Sequence, residues 1–398
     1  MYENSGLGVR KLRNTQFKAI DAPDTELTGV GPLSSLFWWR RDDDCLAVLA
    51  KPGASGQCDL ALAHAVRHLG DRDLRMVFAA GTEIPTLRRA AWLRPKIRVW
   101  THVDGHTPIE QPIPARHDEL QRFREAIRVS VAGLGERAEW IASLLDWARM
   151  MPDVVDASRE GYVDFQCDGR SVLHVVPGGD GLEIRAGTDW STPVPPHEMP
   201  ETLTARGPVS SEDIHRLVAA ASRACRLRLG HLDTANAEHR LQARLRARHI
   251  GLTDWRRELP AVRPGAVGVG SVRLGGRRGY IDFLGVKGTT LHVVETKIGP
   301  DNFLVLQGLD YWTWVMGQRD RLAVLFALPT TAPKVVLDFV VARSPGGQLL
   351  SPYTAAQALA LDGEIEWRFH EVETWSGDEP DVRSFPARTL PVVSLAAP

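Results

Sequence analysis

The stretch Thr290-Leu-His-Val-Val-Glu-Thr-Lys297, TLHVVETK, decides how the second half of this chain is read. Its β-branched and apolar residues favour a strand, and successive side chains of a strand point to opposite faces. Leu291, Val293, Glu295 and Lys297 therefore share one face, while His292, Val294 and Thr296 take the other. Just upstream, Gly279-Tyr-Ile-Asp-Phe-Leu-Gly-Val286 reads as a second strand with Tyr280, Asp282 and Leu284 on one face. Antiparallel pairing of the two brings Asp282 beside Glu295, so two carboxylates and the Lys297 ammonium meet at one spot.

Working outward, a helix is expected from about Thr234 to His249, followed by three strands, VGVGSVRL, GYIDFLGV and TLHVVETK. Downstream come the helix NFLVLQGLDYWTWVMG, the strands RLAVLFAL and KVVLDFVVA, the helix TAAQALALDG and the strand EIEWRFHEV. The order is α-β-β-β-α-β. A further helix, SSEDIHRLVAAASRACRLRL, opens this part of the chain, capped by Ser210 or Ser211 and stopped near Gly230.

A carboxylate inside an apolar strand is costly to desolvate, and a second carboxylate beside it adds repulsion. A divalent cation removes both penalties. Mg²⁺ is held by one or two carboxylates, with waters and phosphate oxygens completing its shell, and Mn²⁺ can substitute. Such an ion polarises a scissile phosphate and acidifies a bound water, with Lys297 left to orient that water or to stabilise developing charge.

Asp282, a turn, and then Glu295-Thr296-Lys297 at the end of an apolar strand resemble the motif of the PD-(D/E)XK phosphodiesterase superfamily, with Ile281 where that name has Pro. On the next helix Gln307-Gly-Leu-Asp-Tyr311 resembles the QxxxY motif of its RecB-type branch, and a spacing of four puts Gln307 and Tyr311 on one helical face. Glu238, in TANAEHRLQARL, resembles the acidic residue of the first helix that completes the metal shell in many members. The resemblance covers about Thr234 to Leu328. It implies a restriction-endonuclease-like α-β-β-β-α-β core in an α/β chain and a Mg²⁺-dependent nuclease. Asp282, Glu295 and Glu238 would be its metal ligands, and Lys297 its base or charge stabiliser. Gln307 and Tyr311 would position substrate or the lysine. It also implies DNA ahead of RNA, in defence or repair, with endonuclease and exonuclease action both open. The alternative is a nucleic-acid-binding or scaffold protein whose nuclease fold is inert.

Formal net charge is −1, so any field that attracts a polyanion must be local. Arg240, Arg244 and Arg248 recur at helical spacing, and Arg256, Arg257, Arg273, Arg277 and Arg278 follow. Of these, Arg240, Arg244, Arg248, Arg277 and Arg278 are the candidate phosphate contacts. Trp312 and Trp314 fall on opposite sides of their helix, so at least one belongs to the core.

At 398 residues the chain has room for more than one core. Residues 1–115 contain strands CLAVLA, LRMVFAA and KIRVWTHV alternating with helices DLALAHAVRHL and TLRRAAWL, a βαβαβ pattern that favours a parallel sheet. This module is expected to serve recognition, sensing or oligomerisation. Its loop Lys51 to Gln57 matches no phosphate-binding spacing. A small nucleotide ligand there and a homodimer remain open as partners. Residues 116–208 form a middle α+β region with helices DELQRFREAIRVSV and ERAEWIASLLDWARMM and strands YVDFQ, SVLHVVP and GDGLEIRAG, ending in the proline-rich stretch Pro193 to Pro208, the best linker candidate. The nuclease-like domain is assigned residues 209–398.

One internal similarity stands out. Gly161-Tyr-Val-Asp-Phe with Leu173-His-Val-Val resembles Gly279-Tyr-Ile-Asp-Phe with Leu291-His-Val-Val, but Pro177-Gly-Gly stands where the later copy has Glu295-Thr-Lys. Either the middle region holds a decayed nuclease hairpin, or two hairpins converged on one pattern. The four cysteines, Cys45, Cys58, Cys167 and Cys225, lie at no zinc-ligand spacing and read as reduced core thiols. No leader-like h-region opens the chain and no apolar run reaches membrane-spanning length, which gives the expectation of a cytoplasmic protein without a membrane partner.

Overall fold

The computed structural model describes residues 29–30, 36–40, 44–49, 55–69, 73–103, 107–126, 142–151, 154–156, 163–178, 181–187, 202–207, 209–230, 237–261, 279–344, 346–375 and 379–391. The chain is of mixed α/β class, built on three sheets. The expected strand VGVGSVRL, Arg273, Arg277, Arg278, Lys51 and most of the proline-rich stretch lie outside the described residues.

The first sheet is six-stranded, in the order β1 (Gly29–Val30), β2 (Leu36–Arg40), β3 (Asp44–Leu49), β4 (Asp73–Ala79), β5 (Ile97–His102) and β6 (Ile109–Gln111). Helix α1 (Ser55–Leu69) joins β3 to β4, and α2 (Ile84–Ala90) joins β4 to β5, so β3, β4 and β5 run parallel as the βαβαβ pattern requires. Two antiparallel strands, β1 and β2, precede them, and β6 closes the other edge. Helix α3 (Arg116–Ala126) follows.

In the middle region α4 (Ala142–Met150) and α5 (Ser211–Gly230) cover a five-stranded antiparallel sheet of β7 (Val154–Asp156), β8 (Val163–Cys167), β9 (Arg170–Gly178), β10 (Gly181–Ala186) and β11 (Leu203–Arg206). The last of these comes from the end of the proline-rich stretch, where alternating Leu203 and Ala205 pack on the sheet's own core. The hairpin that resembles the later one is paired differently. Phe165 faces Leu173 in β8 and β9, whereas its sequence equivalent Phe283 faces Val294 rather than Leu291. β9 then returns through the antiparallel strand β10, with no helical crossover. The shared letters reflect alternation in two hairpins of different register.

The third sheet, again six-stranded, follows α6 (Ala237–Arg244) and a short 3₁₀ turn. Its order is β12 (Asp254–Ala261), β13 (Gly279–Lys287), β14 (Thr290–Ile298), β15 (Val335–Ala342), β16 (Glu366–Thr374) and β17 (Asp381–Ser384). α7 (Leu304–Leu325) crosses from β14 to the parallel β15, and α8 (Pro352–Ala360) from β15 to the parallel β16. β12 contains Pro260, which is tolerated because β12 is an edge strand with one free side. The stretch RLAVLFAL, expected as a strand, instead extends α7 to Leu325. Its Leu322 and Ala323 continue the buried stripe of that helix, and it has no Gly or Pro to end the helix earlier.

The first and third sheets share one apolar core. Leu62 and Leu69 of α1, Trp92, Val99 of β5, Leu309 and Trp314 of α7, and Phe339 of β15 belong to a single buried cluster. Buried Arg89 bridges this boundary, donating to Asp310 through Nε at 2.8 Å and Nη2 at 2.6 Å and pairing with Asp59. Trp312 and Trp314 are both core, with Trp312 edge-on to Trp92 at 4.9 Å. Among the described residues the middle sheet meets α6, beside the third sheet. The turn Asp168-Gly169 sits on α6, where Asp168 accepts from Arg240 Nε at 2.5 Å, and a Cβ on Gly169 would meet the His239 carbonyl oxygen at 2.3 Å. Cys58, Cys167 and Cys225 are buried, and among the described residues no helix is long and apolar enough to cross a membrane.

Candidate active site

β14 is a central strand, with β13 on one edge and β15 on the other, and α6 and α7 pack on its two faces. Leu291 and Val293 pack into the large core with α7, while Val294 packs with Leu241 of α6. Alternation then places Glu295 toward α7, where Gln307 Nε2 donates to Glu295 Oε1. Thr296 faces α6, where Gln242 Nε2 donates to Thr296 Oγ1 at 2.8 Å. Lys297, next along the strand, sits where β14 leaves the sheet and is part-buried.

The ladder between β13 and β14 runs from Lys287 opposite Thr290 to Phe283 opposite Val294. One residue further, the Asp282 carboxylate takes over from the backbone. Its Oδ2 accepts from the Thr296 amide and from Thr296 Oγ1, both at 2.7 Å. A carboxylate held by two donors is fixed in orientation at the cost of one lone-pair direction. Lys297 Nζ donates to Glu238 Oε1 at 2.9 Å, to Glu295 Oε1 at 3.3 Å and to the Thr296 carbonyl at 3.0 Å.

Glu238, Asp282, Glu295, Lys297 and Gln307 are thus brought together. Tyr311, one turn along α7 from Gln307, packs in the large core. Its side chain is 1% exposed within the core. Arg240 is committed to Asp168, and Arg244 lies 3.8 Å from the same carboxylate and donates to the Trp375 carbonyl at 3.3 Å. Arg248, largely exposed, pairs with Glu379 at 2.5 Å. On α6, Arg240 and Arg244 thus turn toward Asp168 of the middle region, while Arg248, in the 3₁₀ turn that follows, stays on the surface.

The electrostatics are governed by burial. Glu295 is 0% exposed, and burial, reinforced by the Asp282 charge and only partly countered by Lys297, holds its carboxyl well above the usual carboxylate range. Glu295 Oε2 is buried without a hydrogen-bond partner. Burial also raises the Glu238 carboxyl, against the pull of Lys297. For Lys297 burial acts to lower the ammonium, but Glu295, Asp282 and Glu238 together reverse this and raise it above the ordinary lysine value. Lys297 is therefore charged at neutral pH.

Among the described residues no group of three or more His, Cys, Asp or Glu side chains is arranged to hold an ion. Two carboxylates suffice for Mg²⁺ when waters and a phosphate complete the shell. Asp282 and Glu295 are hard oxygen donors of that kind, and the unpartnered Glu295 Oε2 is the atom whose burial a cation would relieve. Glu238, tied to Lys297 through Oε1, is better placed to hold the lysine than to complete an ion's shell.

Sequence reasoning missed Thr296 and Gln242, the pair that fixes Asp282 from behind. The available signal was a threonine hydroxyl on the buried face of an apolar strand, which needs a partner. A second polar set was also missed. Asp338 of β15 accepts from His292 Nδ1 at 2.6 Å and from His370 Nε2 at 2.8 Å, and His370 Nδ1 lies 2.8 Å from Ser384 Oγ. It ties β14, β15, β16 and β17 together, with His292 packed at 2% exposure. A cavity of about 680 Å³, lined by Arg67, Asp73, Arg94, Lys96 and Leu359 among others, lies between the first and third sheets, away from the carboxylates.

Compared with protein-family models, curated proteins and solved structures, the chain matches none.

Proposed function

We propose that the chain is a metal-dependent nuclease hydrolysing phosphodiester bonds, DNA ahead of RNA, with its chemistry at Asp282, Glu295 and Lys297. The reading is carried by one observation: a fully buried glutamate with an unpartnered oxygen, beside a fixed aspartate and a charged lysine, at the end of a central strand. A protein that needed only a fold would gain stability by replacing Glu295 with an apolar residue. The order α6, β12, β13, β14, α7, β15 supports the restriction-endonuclease-like core that the PD-(D/E)XK resemblance implies.

Mg²⁺, or Mn²⁺ in its place, would be held by Asp282 and Glu295 and would supply Lewis acidity toward a phosphate and a more acidic water. The chain's own residues do the rest. Thr296 holds the Asp282 carboxylate in one orientation through its amide and hydroxyl. Gln307 fixes Glu295 Oε1 and leaves Oε2 as the available donor. Lys297, held among the carboxylates of Glu295, Asp282 and Glu238, stabilises charge developing on the phosphate oxygens or orients the attacking water. Glu238 keeps the ammonium in place.

A scaffold with an inert nuclease fold is the second reading, favoured by the internal use of Arg240 and Arg244. Cleavage of plasmid and single-stranded substrates with Mg²⁺ or Mn²⁺ separates the two. Wild type should cut, and Lys297→Ala should lose about 10²–10³ of the rate, the usual cost of one charge-stabilising donor. Equal rates in both proteins would refute the site, and no cutting in any condition would favour the scaffold.

A further inference from the structure

The first sheet and the third sheet have the same topology. In each, two antiparallel strands lead into three parallel ones and a final antiparallel strand closes the edge, in unbroken sequential order. The helices occupy matching places: α1 and α7 follow the third strand of their sheets, and α2 and α8 the fourth.

The two lobes also meet as images of each other. Leu93, after α2, bridges antiparallel to Leu361, after α8. Arg94 N donates to the Ala360 carbonyl at 2.8 Å, and Asp362 N donates to the Trp92 carbonyl at 2.9 Å. Exchanging the lobes about Leu93 and Leu361 maps each of these bonds onto the other. Likewise α1 contacts α8 while α2 contacts α7. This is the self-complementary pattern of a twofold dimer, made here within one chain.

The registers carry the equivalence to the site. If Leu93 matches Leu361, then Ile97 matches Ile365 and Arg98 matches Glu366. Their partners are Arg75 and Val336, whose partners in turn are Leu46 and His292. Two residues on, Val48 opposite Phe37 matches Val294 opposite Phe283, the same residue types in the same pairing. One step further, Leu36 opposite Leu49 occupies the places of Asp282 and Glu295. Lys51 and Gly53 stand at the places of Lys297 and Gly299 in the sequence.

We infer that the N-terminal lobe is a second copy of the catalytic fold with leucines in place of both metal-binding carboxylates, so that each chain carries two nuclease folds and one hydrolytic centre, and breaks one strand of a duplex per binding event. This rests on the nuclease reading above. Cutting both strands takes two centres or a second encounter, and the surface that pairs two copies of the fold is already filled within the chain.

The test uses the full chain. Supercoiled plasmid with Mg²⁺ and limiting protein is followed by gel, and Mn²⁺ alone is titrated into wild type, Glu295→Gln and Glu295→Ala by calorimetry. Expected are loss of the supercoiled band to open circles, with linear plasmid only later, and one Mn²⁺ per chain that both variants abolish. Linear plasmid formed without an open-circle intermediate, or two Mn²⁺ per chain, would overturn the single-centre inference while leaving the nuclease reading intact. No cleavage with one Mn²⁺ lost on substitution would defeat the nuclease reading but support a single metal centre. No cleavage and no Mn²⁺ bound would overturn both.

Discussion

Replacing Glu295 by Gln should make the protein more stable and catalytically dead. Wild type buries a carboxylate at 0% exposure with Oε2 unpartnered, and burial and Asp282 both oppose its charge. Gln keeps the volume, and its oxygen in the place of Oε1 can still accept from Gln307 and from Lys297 at 3.3 Å, so that only the charge is lost. Lys297 retains Glu238 at 2.9 Å and the Thr296 carbonyl at 3.0 Å. An unsatisfied charged group costs more than an unsatisfied amide, so the gain should be about 1–2 kcal/mol in metal-free buffer, a rise of a few degrees in Tm. Mg²⁺ offsets the difference. A cation bound only by the native state adds RT ln(1 + [L]/Kd), about 1.4 kcal/mol at ten times Kd, to wild type and nothing to the variant. Thermal unfolding of both proteins with EDTA and with Mg²⁺ reads the two effects, and plasmid cleavage reads the third. A variant less stable than wild type in EDTA, or stabilised equally by Mg²⁺, would refute the claim that Glu295 is held ready for a cation.

Three other perturbations follow from particular contacts. Asp338 ionises at about 2 in the fold because, although burial opposes its charge, the hydrogen bonds from His292 and His370 outweigh it. Its stabilisation, about 2–3 kcal/mol, is complete above the unfolded value near pH 4 and lost as pH falls toward 2, so Asp338→Asn should flatten the acid limb of a Tm-against-pH curve. Arg89→Met strips Asp310, itself 1% exposed, of its cation and should cost about 3–5 kcal/mol by denaturant unfolding, with Asp310→Asn recovering part of the loss. Gly169→Ala forces a Cβ to within 2.3 Å of the His239 carbonyl oxygen at φ +80°, and should lower both stability and cleavage by shifting the helix that carries Glu238. Gly288→Ala, also at positive φ (+60°) but with open space around it, should show the strain alone, about 1 kcal/mol, without loss of cleavage.

How much of this was legible before folding depends on whether a feature is local. Alternation along TLHVVETK and GYIDFLGV dictates two strands, the faces of Glu295 and Thr296, and a hairpin turn at Gly288, because a strand's side-chain period is fixed by backbone geometry. Gln307 came into view through the QxxxY resemblance, which implied a role toward substrate or the lysine; its contact with Glu295 is a product of the fold. The extension of α7 through RLAVLFAL and the use of DWRRELPA as the outer strand were not legible, since short apolar runs suit either element and edge strands tolerate Pro.

Pairing and register belong to the tertiary structure alone. Two hairpins with nearly the same letters, around Asp164 and Asp282, differ in register because their turns fall at different points relative to the shared residues. Two lobes with the same topology share few letters, because a sheet constrains burial and pairing rather than identity, and the residues that would have signalled kinship are leucines in the first lobe. The arginines of α6 looked like a phosphate-binding stripe from their spacing, but the approach of Asp168 from a distant turn decided where Arg240 spends its charge. From sequence alone came the type of the strongly patterned elements and the chemical character of the Asp282, Glu295 and Lys297 set. Long-range contact settled which groups meet, which carboxylate oxygen is left without a partner, and that the chain folds as two facing copies of one sheet.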